Sequence, residues 1–235
     1  MFDIFYVDPP WDYNGQTQHH GSPKGSTSSN HYNTLSLKEL MALDIDFISN
    51  DDCLMFLWTS SPHLNQAIKL LESWGFKYTT VGFIWDKQRS NPGYYTMSQC
   101  ELCIIGKKGK IPQPRGARNI KQFLSEKRTT HSTKPADVRK RIEAMFPNHN
   151  WCELFARHQT PGWNAIGDSL GVKVEDFINN YKLNPIPSQR KRKRKQNNSS
   201  NVSYGNTNVQ PNNAQNANLV KRRVVPRHSH QLNEP

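Results

Sequence analysis

The chain contains no apolar run approaching the roughly 20 residues needed to cross a bilayer, so a spanning helix is not expected. Hydrophobic residues are scarce, at 34%, and the mean hydropathy is −0.82, which excludes a fibrous or membrane protein. Cysteine is sparse: four in 235 residues make no disulfide framework, which points to a reducing compartment. Met1-Phe2-Asp3-Ile4 has an acid where a signal peptide needs positive charge, which argues against secretion. Several motifs are also missing. No G-x-G-x-x-G follows a strand, which disfavours an ordinary nicotinamide site. Gly106-Lys107-Lys108-Gly109-Lys110 lacks the length and the Ser/Thr of a P-loop and reads as a basic turn. Cys100-x-x-Cys103 has no second pair to complete four metal ligands, so a buried thiol at Cys103 is expected and no metal. His19-His20 reads as loop composition, and there is no internal repeat.

Acid is in short supply as well. Thirty-one Lys and Arg face nineteen Asp and Glu, a net charge of +12. From Asn184 onward ten basic residues meet one acid, so this stretch carries +9 and the preceding body only +3. Pro185 and Pro187 break any helix there, the run Arg190–Lys195 follows, and an Asn/Gln/Ser-rich stretch continues to Asn218. Such a segment cannot bury enough surface to offset its chain entropy. We therefore expect a folded domain over 1–183 and a disordered basic tail over 184–235. A polyanionic partner follows from the charge, with the tail recruiting it.

The body alternates strand and helix patterns. Phe2–Val7 is a short, mostly apolar strand stopped by Pro-Pro, and Cys53–Trp58 is a continuous apolar run, the mark of a strand covered on both faces. Tyr78–Trp85, Glu101–Ile105 and Trp151–Phe155 read as further strands. Helices are expected over Ser36–Leu43, Pro62–Trp74, from Pro135 at a first-turn position, and over Gly162–Leu170. Residues Asn14–Asn33 and Lys110–Thr133 read as loops, the latter basic. The alternation predicts an α/β fold with a sheet covered on both faces.

Asp8-Pro9-Pro10-Trp11 stands at the carboxyl end of the first strand, the edge where open α/β sheets bind ligands. Asp8 is an acceptor where the strand stops. Pro9 and Pro10 stiffen the turn and lack N–H groups, so their carbonyls are expected to face a ligand. Trp11 supplies a flat aromatic face. Together they suit a planar heterocycle with an exocyclic amine. Any one of these residues alone reads as a Pro-rich turn, a surface acid or a core Trp; four in sequence after a buried strand do not.

This motif resembles the DPPW signature of the MT-A70 family of N6-adenine methyltransferases. The likeness continues through His31-Tyr32, Phe56-Leu57-Trp58-Thr59, Trp74-Gly75-Phe76, Trp85-Asp86-Lys87, Glu101-Leu102-Cys103, His131-Ser132-Thr133-Lys134-Pro135 and Glu153-Leu154-Phe155-Ala156-Arg157. It spans most of residues 1–175 and is most similar to compact bacterial and phage members, which are regarded as DNA-modifying. The resemblance implies a Rossmann-like fold that uses S-adenosylmethionine, with the catalytic motif preceding the cofactor-binding strand in a permuted order. It places the reaction on Asp8, Pro9, Pro10 and Trp11. It assigns the cofactor to Asp8, Lys134 (methionine carboxylate), Arg157 (ribose region), and Asp168 and Ser169 (ribose or adenine), with His158 and Gln159 as alternatives. Without it, Lys134 and Arg157 would read as a solvated lysine and a surface cation.

The expected chemistry follows from the substrate. An adenine amine is a weak nucleophile because its lone pair is delocalised into the ring. The protein must align it and accept its protons, roles expected of Asp8 and the Pro9 carbonyl, while Trp11 and Tyr13 stack on the base. A duplex target must first be flipped out. Lys24, Arg115, Arg118, Lys121, Lys127 and Arg128 are expected to meet phosphates. DNA is the expected partner; RNA adenine, the cytosine N4 amine and a non-catalytic nucleic-acid-binding subunit are the alternatives. A homodimer stays open, no membrane partner is expected, and the compartment is the cytoplasm, or the nucleus in a eukaryote.

Overall fold

The structure, a computed structural model, describes residues 1–12, 34–93, 95–128 and 133–184. All of them lie in one compact unit, Met1–Ile186. Tyr13, Lys24, the 14–33 loop, His131-Ser132 and the tail from Pro185 fall outside the described residues.

The chain runs through β1 (Phe2–Val7), α1 (Leu37–Ala42), α2 (Ile45–Ile48), β2 (Ser49–Ser60), a 3-10 turn (Ser61–His63), α3 (Leu64–Ser73), β3 (Lys77–Asn91) and β4 (Ser98–Lys108). It continues through β5 (Phe123–Ser125), α4 (Ala136–Met145), β6 (Trp151–Leu154), β7 (Asn164–Ile166), a second 3-10 turn (Asp168–Leu170) and α5 (Val174–Leu183). One seven-stranded sheet has the order β5-β3-β4-β2-β1-β6-β7. β2, β1, β6 and β7 are parallel, and β4 runs antiparallel to both β2 and β3. The carboxyl ends of β1, β6 and β7 therefore share one edge with the amino end of β4.

Strand parity divides the core into two layers. Phe5, Val7, Met55, Leu57, Cys152 and Leu154 face one side with Leu70 and Leu71 of α3 and Val174 and Ile178 of α5. Ile4, Tyr6, Phe56, Trp58 and Cys103 face the other, under Val138 and Ile142 of α4. This double coverage is why Cys53–Trp58 is apolar throughout rather than alternating. α1 begins at a capping box: the Ser36 hydroxyl accepts from the Glu39 N–H (3.3 Å), and Glu39 Oε2 accepts from the Ser36 N–H (2.7 Å).

Five expectations need correction. Gly162–Leu170 is not a helix but β7 followed by a 3-10 turn. Gly162 turns the chain at φ +82, and at Gly167 a Cβ would meet the Ala156 carbonyl oxygen at 2.2 Å, so the strand presses onto the loop after β6 where a helix has no room. Pro135 caps α4 from outside, at ψ 129, and the helix begins at Ala136. Gly106–Lys108 belong to β4, which leaves only Gly109, at φ +60, and Lys110 to turn. β3 and β4 outrun their apolar cores because their outer ends form a polar hairpin; β5 lies inside the 110–133 segment read as a loop, where pairing with β3 fixes it; and helices α2 and α5 were not anticipated.

Candidate active site

Parity also builds the site. Asp8 continues the Ile4–Tyr6 series onto the α4 side of the sheet. Glu153 follows Trp151 on that side, Glu101 precedes Cys103, and Lys87 follows Phe83 and Trp85. The turn before α4 adds Lys134. An open cleft of about 450 Å³, mouth included, is lined by Tyr6, Asp8, Lys134, Glu153, Arg157 and His158, among others.

Charges alternate from the cleft wall, at Asp8 and Lys134, to Glu101 and Lys87 behind it. Lys134 Nζ lies 2.8 Å from both Asp8 carboxylate oxygens and 3.3 Å from Glu101 Oε2, and Glu101 Oε1 lies 3.4 Å from Lys87 Nζ. Both lysines are more than nine-tenths buried at the side chain. Burial pushes the Asp8 carboxyl above the ordinary carboxylate value, against the opposing pull of Lys134 and, more weakly, Arg157. Burial also opposes ionisation of Glu101, but Lys134 and Lys87 outweigh it and hold that carboxyl below its usual value. Asp8 is thus the more basic carboxylate of the two, and it faces the cleft. On the opposite wall Arg139 Nη1 donates to Glu153 Oε1 at 2.9 Å, while burial raises Glu153. Phe155, directly after β6, is held at φ +60, a backbone strain of the kind that collects at functional sites.

The Pro-Pro turn departs from expectation. The Trp11 N–H donates to the Pro9 carbonyl at 2.8 Å, and the Leu35 N–H to the Pro10 carbonyl at 2.9 Å. Neither carbonyl is free of backbone donors, although each keeps a second lone pair. The Trp11 indole is 4% exposed, lies face to face with His63 at 6.3 Å between ring centroids, and donates from Nε1 to the Trp58 carbonyl at 3.3 Å. It is a core ring in this structure, without the open face expected for stacking.

The residues assigned to cofactor and phosphate separate in space. Asp8, Lys134, Arg157 and His158 share the cleft. Gln159 turns back to donate from Nε2 to the Trp163 carbonyl. Asp168 and Ser169 are exposed in the turn after β7, on the same edge but not on the cleft wall. The Arg115 guanidinium covers the Phe146 ring at 4.8 Å, at the far end of α4, where the Gly116 and Ala117 N–H groups donate to the Met145 and Ala144 carbonyls. It is a packing cation and does not reach the carboxyl edge. Arg118 is exposed just beyond it, and Lys121 lies midway along α4, its carbonyl accepting from Arg141. Arg128 does reach the edge, donating its N–H to the Lys87 carbonyl at 3.4 Å. Glu101, Lys87 and Glu153 stand in the quoted motifs but, like Arg139 and Tyr6, were given no site role from the sequence. Counting by twos from Asp8, Cys103 and Trp85 would have found the strand residues.

The cleft fits a zwitterionic, polar cofactor. It carries carboxylates and cations on facing walls. The Tyr6 hydroxyl is fully buried beside the Trp58 indole, and burial keeps the phenol protonated. No group of three or more metal-ligating side chains occurs among the described residues. Their helices include none long and apolar enough to cross a membrane.

The MT-A70 family model matches residues 2–169. The chain is 46% identical over 187 residues to the Type II methyltransferase M.MunI of a Mycoplasma species, covering 74% of this chain and 78% of that protein. It is 29% identical over 189 residues to a probable N(6)-adenosine-methyltransferase MT-A70-like protein of rice (Oryza sativa subsp. japonica), covering 75% of this chain and 24% of that one. To the human N(6)-adenine-specific methyltransferase METTL4 the identity is 25% over 191 residues, covering 72% and 37%.

Proposed function

The chain belongs to the MT-A70 family of S-adenosylmethionine-dependent methyltransferases, and on that premise we propose that it methylates the N6 amine of adenine in DNA, with Asp8 as the acceptor for the amine. The observation that carries this reading is the Asp8–Lys134 pair at 2.8 Å, opening into the same cleft as Arg157 and His158. S-adenosylmethionine supplies an already activated methyl group. Lys134, Arg157, His158 and Tyr6 are the residues that would hold it. Asp8 Oδ accepts an amine proton as the nitrogen becomes cationic, a task for which its raised basicity suits it. Lys134 keeps that carboxylate ionised, and Glu101 fixes Lys134 from the far side. Orientation of two bound reactants contributes up to about 7–11 kcal/mol. Trp11 serves the turn from the core, and the Pro9 carbonyl offers its second lone pair.

DNA is favoured over RNA by extent. The match to the type II methyltransferase runs through most of both chains, whereas the chain spans only about a quarter of the rice N(6)-adenosine enzyme. That same 29% identity supports RNA adenosine as the second reading. Nucleoside mass spectrometry separates them. DNA and RNA are incubated with protein and cofactor, then digested: N6-methyldeoxyadenosine from DNA is expected. N6-methyladenosine from RNA alone, or N4-methylcytosine, overturns the assignment. The stretch 184–235, with its +9 charge, is assigned as a sequence-independent tether. Deleting it lowers DNA affinity and flattens the salt dependence while sparing cofactor binding; an unchanged salt slope refutes the tether.

A further inference from the structure

The antiparallel hairpin of β3 and β4 reaches well past the site. Val7 is level with Leu57, and Leu57 with Ile104. Ser98 precedes Ile104 by six residues of strand, roughly 20 Å of extended chain. The hairpin's outer end therefore stands clear of the sheet on the side where Asp8 opens. At Gly93 a Cβ would meet the Thr96 carbonyl oxygen at 2.4 Å, so only glycine fits there. Tyr95 is 101% exposed and Met97 61% exposed.

The arm is braced rather than loose. Asp86 Oδ1 accepts from the Gln88 N–H (2.9 Å) and from Gln99 Nε2 (2.7 Å), and its Oδ2 from the Ser125 hydroxyl (2.8 Å). The Ser90 hydroxyl donates to Gln99 Oε1 at 2.8 Å, and Gln88, at φ +53, bends the strand. Three bonds on one exposed carboxylate, which lower its pKa, hold a bulge between Asp86 and Asn91. Arg89 and Lys127 are exposed along the arm, with Arg128 half-buried beside Lys87 and two acids, Asp86 and Glu126, among them. A fully exposed tyrosine on a braced arm that carries cations along its length and extends past the cleft has no role in the fold.

We propose that the described residues of the arm, 88–93 and 95–98, form a wedge for duplex DNA: the Tyr95 ring, backed by Met97, enters the base stack where the target adenine leaves it, and Arg89, Lys127 and Arg128 meet the flanking phosphates. The occupant is DNA, not a second copy of the chain, because the cations Arg89, Lys127 and Arg128 along the arm and its base outnumber the acids there and complement phosphate. An inserted ring replaces stacking lost on flipping, which otherwise costs a few kcal/mol. This rests on the DNA reading above.

The test compares one sequence in two forms, closed-circular phage duplex and its single strand, as methyl acceptors for wild type, Tyr95→Ala and Tyr95→Trp. Tyr95→Ala is expected to lose about tenfold or more in kcat/KM on duplex, to stay within about twofold of wild type on single strand, and to bind cofactor unchanged. Tyr95→Trp keeps a ring and restores duplex activity. Equal losses on both forms, or no loss on duplex, overturn the wedge while leaving the DNA reading intact. A change of oligomeric state by light scattering on Tyr95→Ala makes the tip a contact between copies and likewise overturns it. Failure of the wild type to methylate either DNA form overturns the DNA reading and the wedge with it.

Discussion

The two halves of the sheet are built on opposite principles. β2, β1, β6 and β7 are parallel and bury both faces under helices, and their carboxyl ends carry the cleft. β5, β3 and β4 form an edge from which the long strands β3 and β4 leave the core and end in a polar hairpin with the exposed Tyr95 ring. The halves meet where β4 lies on β2, and Glu101 of β4 touches Lys134, the partner of Asp8. Apolar burial belongs to the half that carries the cleft, where the cofactor is proposed to sit. Reach and polarity belong to the half proposed to meet DNA. The charge chain Asp8–Lys134–Glu101–Lys87 crosses the seam and fixes one half against the other.

That division is breakable by substitution. The largest expected effect is at Asp8. Asp8→Ala lowers methyl transfer about a thousandfold, while cofactor titrated by calorimetry still binds; full residual activity defeats the assignment. Next comes Lys134→Met, which lowers cofactor affinity about 10–100-fold, more than it lowers the maximal rate measured at saturating cofactor. Ile142→Ala, at a fully buried position in α4, costs about 2–5 kcal/mol in denaturant unfolding. Tyr95→Ala marks the other extreme, with an unfolding change within about 0.5 kcal/mol, as for a surface residue with no packing. If Tyr95→Ala destabilised as much as Ile142→Ala, the hairpin would be part of the core and the division false.

The parallel half was the legible one. β1 is bounded by the same residues in sequence and structure, because an apolar run stopped by Pro-Pro leaves little choice. Asp8, Lys134 and Arg157 lie far apart in the chain, and it is the family's ordered motifs, not local pattern, that grouped them. The antiparallel half was less legible because the outer ends of β3 and β4 are polar and carry no apolar period to read. The 162–170 segment misled for another reason: Trp163, Ile166 and Leu170 carry helical spacing, but Gly162 and Gly167 set the backbone. Arg115 misled because a cation in a basic loop looks exposed, and nothing local marks its ring partner, Phe146. Glu101 and Lys87 sat inside motifs already singled out, but their roles depend on a register that only strand pairing fixes.

The most direct test of the central claim is the pH dependence of single-turnover methyl transfer, with cofactor and DNA saturating, in wild type and in Lys134→Met. A buried Asp8 raised above the ordinary carboxylate value must be ionised to accept the amine proton, so the rate falls as pH drops through that raised pKa. Lys134 opposes the rise, so removing it leaves burial less opposed and moves the acid limb to higher pH. An upward-shifted limb in the variant is the predicted result. Coincident acid limbs in the two proteins would contradict Asp8 as the acceptor.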